Sequence, residues 1–474
     1  MSELKRNLGL NTTIALVIGG VIGSGIFMKP ALMGAQLGSP LLLLSVWVVA
    51  GIITLFGALS NAEVAAMFPE TGGQYIFFKK MYGDAFAFLY GWAAFAVFNT
   101  AGNASIAYVF STYANVLLPL PKFSVAIEHS INLHIPFVGN FYILENFGVK
   151  LLTIFLVLIL TLVNYYSTKQ GGALQRILTS LKVIAIVILI GGILFSGKGA
   201  TSNIITSLPS MPLGAALVGA YMAAIAGAFW AYDGWNNITF VAGEIKNPQK
   251  IIPKSLFIGL SFCIIIYALV NLAYVYVLPI DKLSTSLFVA SDAAAIVWGT
   301  AGAVLIAMLV MLSTFGTANA NVLATSRVTF AMGQQNRWFK WAGKVQPKYN
   351  TPGNALLLNA FWTCILILSG SFDMLTDMLI FVSWFFYGMS ALGVFLLRKK
   401  MKTFVRVYKV WGYPVVPLLF VAFTTFFLAS TVYTDIINYN NGTTPVINSV
   451  LGIIITCIGI PVYLLSKNKK VNNN

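Results

Sequence analysis

Glycine is a poor residue for the middle of a membrane-spanning helix. Yet the first apolar stretch, IALVIGGVIGSGIFMKP (Ile14–Pro30), holds Gly19, Gly20, Gly23, Ser24 and Gly25 at its centre. Each such glycine costs about 1 kcal/mol relative to alanine. A second stretch, YMAAIAGAFWAYDGWNNITFVAGE (Tyr221–Glu244), is interrupted at WAYDGW, with Asp233 and Gly234 at membrane depth. Unwinding a helix frees N–H and C=O groups, and in hydrocarbon each unsatisfied group costs several kcal/mol. A break therefore survives only where it lines a cavity that something polar can fill. The half-helix that begins after the first break offers N–H groups and a positive dipole end, which suit a carboxylate. The half-helix that ends at the second break offers carbonyls, which suit an ammonium. One zwitterion satisfies both, and an α-amino acid is the simplest. Close packing of small residues would explain the first stretch alone. It does not explain two corresponding interruptions about 200 residues apart, the pattern of transporters built from inverted repeats.

The ionisable residues at membrane depth are few. Lys182, in LQRILTSLKVIAIVILIGGILF, lies six residues inside Arg176, about 9 Å deep at the helical rise. Gln175, Thr179 and Lys182 fall on one stripe. An intramembrane ammonium points to function, the alternative being a lysine that snorkels to the interface. Two roles are open to Asp233: holding a cationic substrate side chain, or capping the half-helix that follows it. Capping is preferred, because an unpaired aspartate beside the site disfavours neutral ligands. Glu63 and Glu244 sit near cytoplasmic helix ends as gate or packing charges. Asn99 and Asn103 share a face of the third helix, either lining the pocket or bonding between helices.

These residues need a membrane scaffold to hold them. The chain has 474 residues, 58% hydrophobic and 9% charged, where a soluble domain carries about a quarter charged residues. Apolar runs long enough to cross about 30 Å of hydrocarbon recur throughout, and the short alternating segments of a β-barrel are absent. The pattern predicts twelve helices, near 12–37, 41–66, 84–116, 147–166, 174–196, 213–242, 255–278, 291–327, 354–370, 374–397, 413–434 and 446–466. Residues 1–474 thus read as a single transmembrane domain of an all-α polytopic membrane protein. The basic N-terminal start resembles a signal peptide, but its apolar core runs past any cleavage site and reads as a retained first helix. With both termini cytoplasmic, the outer segments hold only Lys122, Lys150, Lys198 and Lys282 of the 29 basic residues, while Lys29 and Lys182 lie in or beside helices. The net charge of +16 is then a topology signal and not a nucleic-acid footprint. Cys263, Cys364 and Cys457 have no metal or redox spacing and read as small buried hydrophobes. His129 and His134, in the outer loop 117–146, have no third ligand nearby. No metal and no cofactor are expected.

Five stretches carry a resemblance to a known family: VIGSGIF (21–27), FPETGGQYIFFKKMYG (68–83), FWAYDGWNNITFVAGEIKNPQKIIP (229–253), STFGTANANVLATSRVTFAMG (313–333) and FVSWFFYGMSALGVFLLRKK (381–400). In order and spacing they resemble the L-type amino acid transporters of the amino acid–polyamine–organocation superfamily. That resemblance implies ten core helices in two inverted five-helix repeats, with helices 1 and 6 broken. The repeats would cover about 12–196 and 213–400, with two peripheral helices at about 413–466. It also implies alternating access and amino acid exchange, often without sodium. By motif position, the substrate carboxylate would meet the N–H groups of Ser24, Gly25 and Ile26, beside Gly23. The amine would meet carbonyls near Ile22 and in the turn from Trp230 through Ala231 to Asp233. Trp230 would close over the substrate, and Asn236 would brace the unwound turn. Lys182 would stand where sodium-coupled relatives hold an ion, near Ser313, Thr314 and Thr317. Tyr267 would connect that lysine to the substrate region.

The reading reached is a multi-pass cell-membrane protein exchanging neutral, small L-amino acids without sodium. No accessory subunit is indicated. A proton-coupled or cationic amino acid transporter is the alternative within the class. A proton-translocating subunit of a respiratory complex needs more buried ionisable groups than Lys182 and Asp233. A membrane enzyme would show a zinc motif or a nucleophile elbow, and neither occurs.

Overall fold

The computed structural model describes residue 6 and residues 8–70, 72–166, 171–335 and 340–471, the side chains of 171–178 and 467–471 excepted. Lys5, Lys169 and Arg337, and the side chains of Gln175, Arg176, Lys467, Lys469 and Lys470, lie outside the described residues.

The first span is two helices, Leu10–Val21 (α1) and Gly25–Leu37 (α2), bent by 42° across residues 22–24. Gly38, at φ 60°, closes α2 in the left-handed conformation, and its N–H bonds Gly34 O. Pro40–Met67 (α3) starts on a proline, whose missing N–H costs no bond there. Gln74–Tyr82 (α4) is a short helix between the second and third spans, outside the twelve expected from sequence. The third span joins Asp84–Ala93 (α5) to Asn99–Leu117 (α6) through a π-helical turn, Ala94–Phe98. The Thr100 hydroxyl bonds Phe95 O at this turn, 2.7 Å. In the outer segment, Val125–Glu128 (α7) precedes a hairpin of Asn132–Ile135 (β1) and Gly139–Tyr142 (β2), paired with Asn132 opposite Tyr142. Then come Phe147–Tyr166 (α8), Gly171–Leu194 (α9), the short Ser202–Ile205 (α10) and Ala215–Tyr232 (α11). A 3-10 helix, Trp235–Glu244, follows α11 beyond the second interruption. Pro248–Val277 (α12) begins earlier than expected, because Pro248 occupies its first turn and Pro253 is tolerated in the second. Ile280–Thr285 (α13) leads to Val289–Gln334 (α14), read from sequence as one helix but divided at Gly299, whose φ of 68° is left-handed. Gly353–Ser369 (α15), Phe372–Lys400 (α16), Val415–Asn440 (α17) and Asn448–Val471 (α18) complete the chain.

Among the described residues, nine helices are long and apolar enough to cross a bilayer, and α1 with α2 makes a tenth as one bent span. Two shorter apolar helices, Thr179–Leu194 and α15, bring the all-α bundle to the twelve expected spans. Around the breaks, α1 packs on α12, α2 on α11, and α3 on both α12 and α11, with α16 beside α3. The last two helices lie outside, α17 against α16 and α3 and α18 against α16 and α5. The apolar contact is aromatic-rich where α11 meets α16: Phe229 stacks on Trp384, with Phe427 of α17 edge-on to both.

One expectation needs correction. Cys263 is buried, but Cys364 is only partly so and Cys457 is exposed on α18, because a thiol is indifferent between a lipid-facing and a packed position. The outer histidines have local partners, His129 stacking on Tyr142 and His134 Nδ1 pairing with Asn140 Oδ1. Lys150, in the first turn of α8, is 1% exposed. Its ammonium bonds Tyr142 O, Ile143 O and Leu368 O, tying the hairpin to the end of α15.

At the opposite end of the bundle, Glu63 is 1% exposed at the end of α3. Arg398 of α16 grips it twice, at 2.9 and 2.6 Å, Arg406 Nε lies 3.3 Å away, and the Val410 N–H donates to it at 2.7 Å. Removing one partner of a buried pair leaves uncompensated charge. Glu63→Ala should therefore lose about 3–5 kcal/mol of stability, measured as a lowered melting midpoint in fluorescence-detected size exclusion. An unchanged midpoint would show that these helices do not depend on the pair.

Candidate functional site

The two interruptions face each other at backbone distance. A β-carbon on Gly234 would stand 2.5 Å from the Gly20 carbonyl oxygen, and one on Gly20 would stand 3.1 Å from the Gly234 oxygen. Only glycine fits this crossing, and Gly234 must also hold φ at 93°, a value that side-chain-bearing residues rarely adopt. Asp233, at φ −64° and ψ 163°, turns the chain out of α11 just before it.

Each break strands backbone groups, and side chains from other helices reach the carbonyls. Lys182 of α9 donates to Ile22 O at 2.9 Å and to Thr317 Oγ1 of α14 at 3.0 Å. Thr317 in turn bonds Ser313 O. Tyr267 of α12 reaches Val21 O at 2.8 Å and Ala231 O at 3.0 Å, so one hydroxyl touches both broken helices. Lys182 is 6% exposed and does not snorkel. A cavity of about 20 Å³, bounded by Lys182, Phe27, Val310 and Ser313 among others, lies beside it, room for about one water. Thr314, named as a neighbour, instead bonds Val310 O and Met311 O of its own helix.

The amide side of the first break is open by contrast. Among the described residues, no acceptor engages the N–H groups of Ser24, Gly25 or Ile26, and the buried hydroxyls of Ser24, Thr179 and Ser313 are also without partners. Buried polar atoms are nearly always paired. Here three such hydroxyls lie near first-turn amides that no intrahelical acceptor can reach, which leaves donors free for a ligand or water.

Trp230 is 7% exposed and covers this bend on the α2 side, its ring 3.1 Å from where a Gly25 β-carbon would be. Phe372 meets it edge-on at 5.1 Å. Lys29, buried just beyond, lies over the Phe372 ring and bonds Asp373 at 2.7 Å and Thr376 at 2.9 Å. On the other side, Leu8 pairs through its backbone with Glu244 and Lys246. The bend is thus covered from both ends.

Two expected roles change. The Asp233 carboxylate accepts from the Tyr387 hydroxyl of α16 at 2.8 Å, and the 3-10 helix that follows has no side-chain cap. The N-cap position of that helix is Gly234 and not Asp233, whose carboxylate meets the Gly234 backbone and the Tyr387 hydroxyl. The carbonyls expected to meet an amine at Ile22 and Ala231 already accept from Lys182 and Tyr267. The Trp230 oxygen accepts from the Asp233 N–H. Each carbonyl keeps a second lone pair, so an amine would share these oxygens. Asn236 accepts from Asn61 of α3 at 2.7 Å, and Asn61 accepts from Ser390 of α16. Asn103 pairs with Asn321 and Thr325 of α14, while the Asn99 amide nitrogen has no described partner.

Sequence reasoning missed Tyr387, Asn61, Ser390 and the Lys29–Asp373–Thr376 group. Asn61 and Lys29 carried a usable signal, a polar residue inside an apolar span. Tyr387 and Ser390 did not.

Two interrupted spans meet inside an apolar helical bundle, with bare amides and tethered carbonyls on the first turn and a tethered carbonyl on the second, an arrangement suited to a membrane transporter. The comparisons with known proteins agree. The family model described as "Amino acid permease" matches residues 8–460. The chain is 31% identical to the serine/threonine exchanger SteT of Bacillus subtilis (strain 168) over 473 residues, 99% of this chain and 98% of that one. It is 31% identical to the mouse (Mus musculus) large neutral amino acids transporter small subunit 2, covering 98% and 81%. It is 29% identical to the human (Homo sapiens) cystine/glutamate transporter, covering 98% and 85%. The chain belongs to the amino acid permease family, among its L-type relatives, and is a multi-pass amino acid transporter.

Gly234→Ala adds a β-carbon at a left-handed position, which alone costs about 1–2 kcal/mol, and drives it against Gly20. Gly219→Ala meets nothing nearer than 3.9 Å. Melting midpoints should fall for the first and hold or rise for the second. Equal midpoints would deny that the crossing matters.

Proposed function

We propose that this protein exchanges neutral, small L-amino acids across the cell membrane without sodium, with both termini cytoplasmic. The observation that carries the reading is the Lys182 ammonium bonded to Ile22 O and Thr317 Oγ1. Carbonyl and hydroxyl oxygens are the ligands that hard cations use. A fixed ammonium among them repels a second cation, which supports sodium independence. Neutral substrates are favoured because Asp233 is engaged by Tyr387 and does not face the bend as a free counter-charge. Small ones are favoured because Trp230 and Ala231 crowd Gly25. The carboxylate is assigned to the amides of Ser24, Gly25 and Ile26, beside Gly23, and the amine to the lone pairs left on Ile22, Trp230 and Ala231. Asn236 acts as a brace through Asn61.

In this reading residues 12–196 and 213–400 are the inverted repeats of a single domain, and α17 and α18 are peripheral. The serine/threonine exchange named for the Bacillus relative agrees with small neutral substrates. The "small subunit" in another relative's name refers to that protein's assembly. Transport by this chain alone is the expectation here.

The test is uptake of labelled L-serine into proteoliposomes holding the purified chain. Uptake should require internal amino acid and run at the same rate in sodium and choline buffers. Uptake into empty vesicles driven by a pH gradient would overturn exchange in favour of proton symport. Lys182→Ala should lose about tenfold in rate, the equivalent of one charge-assisted hydrogen bond of about 1.4 kcal/mol. Unchanged kinetics would remove the lysine from the mechanism.

A further inference from the structure

The start of α12 holds an electrostatic imbalance that the transport site does not use. A cavity of about 410 Å³ opens there, lined by Leu59 of α3, by Lys250, Pro253, Lys254 and Phe257 of α12, and by Tyr408 and Trp411 of the segment after α16. Lys250 and Lys254 are one helical turn apart and share a face. Both are exposed, and among the described residues neither has an ion-pair partner. They stand in the first two turns of a long helix, where the dipole already favours negative charge, and the first turn carries no acidic residue. No carboxylate lines the cavity among the described residues, and Glu63, on the same helix as Leu59, is spent on Arg398 and Arg406.

The cavity's other wall is the chemistry of a membrane surface. Trp411 is 74% exposed and Phe257 50%, and the exposed Val415 and Leu418 of α17 begin the next span. Aromatic residues of this kind sit at the level of lipid headgroups. Burial pushes the Tyr408 phenol up to about 12, so near neutral pH it is an uncharged hydroxyl able to donate. Basic pockets between spans at the cytoplasmic face hold anionic headgroups. We propose that this cavity binds one anionic phospholipid of the inner leaflet, its phosphate between Lys250 and Lys254 and an acyl chain along Phe257. The proposal is independent of which amino acid is carried. It matters for transport because α12 also carries Tyr267, the hydroxyl that joins the two broken turns.

The test is native mass spectrometry of the full chain titrated with phosphatidylglycerol or phosphatidylcholine. One tightly held phosphatidylglycerol is expected. The Lys250→Gln/Lys254→Gln variant should bind it about 25-fold more weakly, about fivefold for each lysine. The Lys402→Gln/Lys409→Gln variant removes two basic residues of the same segment that do not line the cavity, and should bind as the parent does. Equal loss in both variants, or none in the first, would overturn the site. Displacement of phosphatidylglycerol by inorganic phosphate at comparable concentration would overturn the lipid assignment, since the acyl chain would then contribute nothing.

Discussion

Two peptide carbonyls in the middle of a membrane protein, left without their helical partners, decide much of this structure. Val21 and Ile22 end a helix in the buried middle of the bundle. Their oxygens are satisfied by the Tyr267 hydroxyl and the Lys182 ammonium. In a low-dielectric interior such bonds are strong and their absence is costly. The geometry of three further helices follows. Spans α9 and α12 must bring the lysine and the tyrosine to the bend, and α14 must supply Thr317 for the second lysine bond. The Gly20–Gly234 crossing then sets the second interruption against the first, close enough for Tyr267 to reach both.

The asymmetry of the bend is its functional content. Carbonyls are tethered and amides are bare; in the proposed function this makes the bend a donor surface for a carboxylate, with the Lys182 ammonium behind it. In the proposed function this place opens to one side at a time. The covers here are few and separable: Trp230 on Phe372, and Lys29 on Asp373, at one end; the backbone pairing of Leu8 with Glu244 and Lys246 at the other. None of these contacts is shared between the two ends, which lets one release while the other holds. The Asn61–Asn236–Ser390 chain and the Asp233–Tyr387 bond attach the second broken helix to α3 and α16, so its movement is transmitted to them.

The breaks and the depth of Lys182 were legible in the sequence because each violates a local rule: glycine or charge where an apolar helix former belongs. The twelve spans were legible for the same reason, since hydropathy is a local property. What failed to show was pairing across long sequence distance. Asp233 looked like a cap because a short acidic residue beside a helix start normally is one. Its true partner, Tyr387, is an ordinary aromatic in an aromatic-rich helix, and no periodicity marks it. The burial of Lys150 left no trace in the sequence, because its carbonyl partners, Tyr142, Ile143 and Leu368, lie in the hairpin region and on α15. The short α4 follows two glycines at positive φ, and the outer hairpin has strands of four residues, too brief for either period to register.

The most direct test of the account is an experimental density map of the protein in lipid nanodiscs, with and without saturating L-serine. The account predicts the ligand carboxylate within hydrogen-bonding distance of the Ser24, Gly25 and Ile26 amides, with Lys182 still on Ile22 O. A serine bound elsewhere, or a continuous helix through residues 22–26, would contradict it.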